Sequence, residues 1–156
     1  KLDQLDYLTC FIKEVLRHDP PAARSLGYIT KRMFKVNDLL VPKNQVVLFN
    51  LFACHYDQEQ WKEPMKFIPE RFDPSSDYFL TPKGTVRHPL AFCPFTFGTR
   101  TCPGRALGMM ELKVLIIYYL LTLDFEIDQE LLDNPDVCYA ILSPFTLDLK
   151  ITGVHI

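Results

Sequence analysis

No segment of this sequence carries a run of like charge. Its 17 basic and 19 acidic residues are interspersed along 156 positions and sum to −2, and without a basic stripe carrying interleaved aromatics no nucleic-acid partner is expected. The five cysteines, Cys10, Cys54, Cys93, Cys102 and Cys138, are an odd number, lie far apart and include no C-x-x-C pair. Neither a zinc site nor a disulfide framework is indicated, and a reducing compartment fits best. The four histidines, His18, His55, His88 and His155, stand singly and never at the i, i+4 spacing that lets two imidazoles share a metal from one helical face. Each is expected at the surface or in a loop. The longest apolar run, Val114 to Leu123, is about ten residues, short of the roughly 18 to 20 needed to cross a bilayer. Repeats and low-complexity tracts are lacking. The opening residues KLDQLDYLTCFIKEVLRH carry no methionine, helix cap or signal peptide and begin mid-pattern, which predicts a piece of a longer chain. Any membrane anchor is expected upstream.

What is present suffices for a core. With 48% apolar and 13% aromatic residues, the chain is one domain or part of one. From Leu2 to Arg17 the apolar residues Leu2, Leu5, Leu8, Phe11, Ile12, Val15 and Leu16 recur at helical spacing until Pro20-Pro21 forbid continuation. Residues 22 to 53 read as short strands and turns in a small sheet: Tyr28 to Thr30, a turn at Asn37-Asp38, Val41, then the apolar Val46 to Phe52. Prolines 64, 69, 74, 82, 89 and 94 allow only short helical turns between residues 57 and 94. So long an irregular stretch calls for a functional reason. Pro103 to Leu121 is helical again and apolar on nearly every side, from Leu107, Met109 and Met110 to Leu120 and Leu121. Such a helix belongs inside a larger protein. The alternation from Phe145 to Ile151 predicts a terminal hairpin or small sheet.

The residues richest in chemistry run from Phe95 to Arg105. A glycine-containing loop delivers Cys102 just before the first turn of the apolar helix, with Pro103 where a helix start accepts proline. The positive end of the helix, its free N–H groups and the nearby Arg100 and Arg105 all favour a thiolate. Such a sulfur could serve as a nucleophile, a redox centre or a metal ligand. A buried, inert cysteine is the bland alternative. Upstream, Glu14 and Arg17 sit at i and i+3 on the first helix, which on spacing alone reads as an exposed pair worth a few tenths of a kcal/mol.

The pattern F-x-x-G-x-R-x-C-x-G, filled by Phe95, Gly98, Arg100, Cys102 and Gly104, resembles the haem-binding signature of the cytochrome P-450 superfamily. Glu14-x-x-Arg17 and Pro69-Glu70-Arg71-Phe72 are similar to its two upstream motifs, and the order of elements matches over residues 1–156. The resemblance implies a mainly α fold with small β-sheets, of which this chain is the C-terminal part. It implies Cys102 as axial ligand of the haem iron, Arg100 as partner of a propionate, Phe95 as apolar shield over the sulfur, and Gly98 and Gly104 as points of close approach to the porphyrin. Glu14, Arg17 and Arg71 become a buried ionic triad. The family's further propionate arginine has no counterpart at Gly27, so Arg24 takes that assignment. Thr96 and Gly108 depart from the usual pattern without touching the ligand. The implied activity is insertion of one atom of O2 into a lipophilic substrate, with electrons ultimately from NADPH through a reductase, at the cytosolic face of the endoplasmic reticulum membrane in eukaryotic, microsomal style. The fragment alone is expected to be inactive. Alternatives are a partial or non-catalytic family member, or a cysteine-dependent phosphatase or thiol oxidoreductase. The last two lack the glycine-rich cradle followed by arginine, or the second cysteine, that they need.

Overall fold

A computed structural model of the chain describes residues 6–127 and 149–155. Helix α1 spans Asp6–His18. It begins with an acidic residue and ends with Arg17 and His18, signs that suit the helix dipole, and the prolines that follow stop it where the periodicity predicts. Residues 1–5, the first part of the expected helix, lie outside the described residues.

Two small antiparallel ladders follow. Strands β1 (Tyr28–Ile29) and β4 (Val46–Val47) pair with Tyr28 opposite Val47. Between them β2 (Phe34–Val36) and β3 (Leu39–Val41) form a hairpin whose turn has Asn37 at φ 50°, a left-handed value that asparagine tolerates. One expectation fails here. The apolar run to Phe52 does not stay extended: helix α2 takes Leu51–His55. Asn50 decides this, because its side chain accepts the Ala53 N–H at 3.0 Å and so caps a helix start. The segment just before β1 is fixed to the same place, with Ser25 N donating to Phe49 O at 2.9 Å and Phe52 N to Ala23 O at 3.0 Å.

The proline-rich stretch is irregular as predicted. It contains single 3-10 turns at Pro69–Phe72, Asp77–Phe79 and Pro89–Ala91, and it wraps α1. The core lies between the two, built from Ile12, Leu16, Leu51, Trp61, Ala91 and Cys93. Helix α3 covers Arg105–Thr122, two residues later than predicted, with Pro103 in the turn before it. Leu107, Met110, Val114, Leu115, Leu120 and Leu121 on α3 are all exposed. Strand β5 (Leu123–Ile127) pairs antiparallel with β6 (Leu149–Val154). The predicted terminal strand therefore begins at Leu149, and residues 145–148 fall outside the described ones. Among the described residues no helix is long and apolar enough to cross a membrane.

Candidate functional site

Glu14, Arg17 and Arg71 are each 0% exposed, so the surface-pair reading of Glu14 and Arg17 is wrong. Arg17 grips Glu14 with two parallel bonds of 2.8 Å, the bidentate geometry in which arginine is strongest. Glu14 Oε1 also accepts Arg71 Nε at 3.1 Å and the backbone N–H of Ile68 at 2.8 Å. The remaining guanidinium N–H groups go to backbone carbonyls. Arg17 donates to His55 and Pro64 at 2.9 Å and to Lys66 at 3.1 Å. Arg71 donates to Lys62, to Glu63 at 2.6 Å and to Lys66 at 3.1 Å. One carboxylate thus joins α1 to a loop 54 to 57 residues away.

A third arginine, not anticipated from the sequence, completes the cluster. Arg87 donates to the carbonyls of Arg71 and, at 3.0 Å, Tyr78. Its guanidinium lies 4.3 Å from the ring centroid of Trp61, which Arg17 approaches at 5.3 Å. Trp61 is 1% exposed and donates its indole N–H to Cys54 O at 3.0 Å. Two cations thus share one carboxylate with a third close by, and carbonyl dipoles and aromatic faces stabilise the excess positive charge. Burial still weakens it: the Arg87 pKa is pushed down to about 10, and that of Arg71 is lowered by the same cause. The available signal was that Trp61, the chain's single tryptophan, stands in a stretch otherwise made of turns.

His55 corrects a second expectation. It is 0% exposed rather than superficial. Its Nε2 accepts the backbone N–H of Cys93 at 3.0 Å, which puts the ring proton on Nδ1, an atom without a partner. The ring sits 5.6 Å from that of Phe92. Burial pushes its pKa from 6.5 down to about 4. Since the unfolded chain takes up the proton near 6.5 and the folded one only near 4, the stabilisation from a neutral His55 is complete above pH 6.5. It is lost as pH falls through that window, about 3 kcal/mol in all. Lowering the pH from 7 to 5 should cost wild-type full-length protein roughly 2 kcal/mol more than a His55→Gln variant. Denaturant midpoints at the two pH values measure this, and parallel losses in both proteins would count against a neutral His55.

From Cys93 the chain enters a self-bonded loop. Thr96 N donates to Cys93 O at 3.0 Å, and Thr96 Oγ1 to Arg100 O at 3.0 Å. A 3-10 turn spans Gly98–Arg100, with Gly98 at φ 67°, a value that glycine adopts without strain. Cys102 N then donates to Phe95 O at 2.9 Å, and Thr101 Oγ1 donates to the same oxygen at 3.2 Å. The loop holds Cys102 by its backbone and leaves its side chain exposed. Gly104 caps α3 with an ordinary φ of −80°, so its backbone does not demand glycine. A Cβ built there would stand 3.7 Å from Cys102 Sγ. That is an ordinary van der Waals contact, so crowding does not demand glycine there either.

Beside the loop is an open cleft of about 360 Å³, lined by Tyr28, Phe34, Val47, Phe49, Phe97 and Arg100 among others. Phe97 meets Phe49 edge-on at 5.4 Å, and Phe49 meets Tyr28 at 5.6 Å, an aromatic ladder joining the loop to the β1/β4 pair. Phe95, half-buried, faces a separate groove with Lys13, Leu16 and Met109. Arg24 is exposed, bridged through its backbone to Asn50, and it does not line the cleft. No three His, Cys, Asp or Glu side chains converge as a metal site among the described residues.

The sequence that builds this exposed cysteine loop, aromatic cleft and buried Glu-Arg-Arg clasp is similar to that of known proteins. Residues 1–144 match the family model described as Cytochrome P450, and the chain belongs to that family. It is 36% identical over 149 residues to cytochrome P450 3A40 of Oryzias latipes, covering 96% of this chain and 26% of the relative. Cytochrome P450 4F8 of Homo sapiens is 35% identical over 120 residues, 77% of this chain and 22% of the relative. The steroid 17-alpha-hydroxylase/17,20 lyase of Mesocricetus auratus is 29% identical over 150 residues, 92% of this chain and 28% of the relative. The chain thus spans about a quarter of the length of these relatives.

Proposed function

We propose that residues 1–156 are the C-terminal, haem-ligating portion of a haem-thiolate monooxygenase acting on a lipophilic substrate. The observation that carries this reading is the presentation of Cys102: its thiol is exposed at the end of a loop held by its own backbone bonds. The residues present fit one face of a flat, apolar macrocycle with an anionic edge. Cys102 would be the protein ligand of the iron, and the glycines at 98 and 104 would let the ring approach the backbone. The Arg100 guanidinium at the cleft's rim would pair with a propionate. Arg24, four residues before Tyr28 of the cleft, is assigned to a second propionate. Phe95 shields the sulfur from the side facing α1 and α3, keeping water from competing for its charge.

When bound, haem supplies dioxygen activation, and an axial thiolate donates the electron density that favours O–O cleavage. The chain's own contribution is to hold the sulfur in place: the loop's backbone bonds fix Cys102 just before α3, and the Glu14 clasp fixes the loop's foundation. In the overall reaction one oxygen atom of O2 enters the substrate and the other leaves as water, with two electrons from NADPH delivered through a reductase. The family relationship supports a lipophilic substrate, and we assign the full protein to the endoplasmic reticulum membrane through an anchor outside this chain.

The reduced full-length protein under carbon monoxide should give the absorption band of a thiolate-ligated haem. With NADPH, a reductase and labelled O2, a lipophilic substrate such as a steroid should gain one labelled oxygen. A histidine-type spectrum would overturn the reading.

A further inference from the structure

Between the ionic clasp and the cysteine loop stands one side chain. His55 belongs to both: its carbonyl accepts Arg17 Nη1 at 2.9 Å, and its Nε2 accepts the Cys93 N–H at 3.0 Å. Cys93 in turn is where the loop begins, since its carbonyl holds Thr96 N at 3.0 Å. Thr96 is the residue that turns the chain, at φ 61°, a conformation uncommon outside glycine and asparagine. Just before that turn is Phe95, whose carbonyl receives both Cys102 N and Thr101 Oγ1. Hydrogen bonds thus lead from Glu14 through Arg17, His55 and Cys93 to Thr96, and the peptide bond from Thr96 to Phe95 carries the connection on to Cys102.

We propose that His55 is a positioning residue for the thiolate ligand, acting through its Nε2 acceptor on the Cys93 amide. Packing alone does not account for an imidazole here. The ring buries an Nδ1 without a partner, an unfavourable state that an apolar ring would avoid. What the apolar ring could not do is satisfy the Cys93 N–H, which has no solvent access to compensate, because Cys93 is itself buried. The acceptor is the function that the imidazole retains. Its lone pair, fixed by the clasp on one side, sets the position of residue 93 and therefore the angle at which the loop leaves the core.

The test uses the full-length protein with His55→Gln, whose side-chain oxygen reaches near the Nε2 position, and His55→Leu, which has no acceptor. Hydrogen exchange at the Cys93 amide, followed by mass spectrometry of the peptide carrying it, should speed up about tenfold or more in the leucine variant and stay near wild type in the glutamine variant. The carbon monoxide complex should divide in the same way, the leucine variant alone showing a larger fraction with the thiolate bond lost. If the leucine variant does not fold, His55→Asn replaces it, since its oxygen stops short of the Cys93 amide. Equal behaviour of the glutamine and acceptor-deficient variants, in either direction, would refute the role. The spectral readout rests on the haem-thiolate reading, and the amide readout does not. A wild type without a thiolate spectrum would therefore remove that reading while the exchange data still decide on His55.

Discussion

Replacing Cys102 by alanine in the full-length protein should abolish the thiolate-type carbon monoxide spectrum and reduce monooxygenation by ~10³-fold or more. The fold should be almost unaffected. The loop's shape comes from the Cys102 N to Phe95 O, Thr101 N to Gly98 O and Thr96 N to Cys93 O bonds, none of which uses the sulfur, and the side chain is exposed. Unfolding midpoints of the variant without haem should therefore agree with wild type within about 0.5 kcal/mol. Cys10 supplies the contrast. It is buried on α1, and burial raises its pKa, so Cys10→Ala should keep the thiolate spectrum. Two variants with the same spectrum would detach the iron from Cys102.

Glu14→Gln should be the most damaging single-atom exchange in the described chain. It removes the carboxylate that pairs with Arg17 and Arg71, both fully buried, and leaves them bonded only to backbone carbonyls and an amide oxygen. Breaking a buried pair by removing one partner typically costs 3–5 kcal/mol, a large share of a stability of about 5–15 kcal/mol. The amide keeps the shape and one acceptor for Ile68 N, so the loss isolates charge from packing. Denaturant midpoints of the full-length protein measure it. A loss below about 1 kcal/mol would show that water reaches the cluster.

The same residues show how far sequence reading extends. The periodicity of α1 and the prolines after it set that helix, because both act within a few neighbours. The i, i+3 spacing of Glu14 and Arg17 was equally visible, yet spacing describes a helical face without saying what covers it. Here the cover is a loop more than fifty residues on. His55 was misplaced for the same reason: an isolated histidine carries no local signature of burial, and its partners are the amide of Cys93 and the ring of Phe92. At α2 a local rule was available and outweighed by pattern, since Asn50 caps a helix that the apolar run seemed to extend as a strand.

The sequence by itself determined the cysteine loop, because its bonds close between residues 93 and 105 and Gly98 answers to a local torsion. Tertiary structure alone decided the clasp, the aromatic seats of Arg17 and Arg87 around Trp61 and the link through His55. Their energies come from desolvating charges and amides against segments distant in the chain, and no pattern of neighbouring residues encodes that distance.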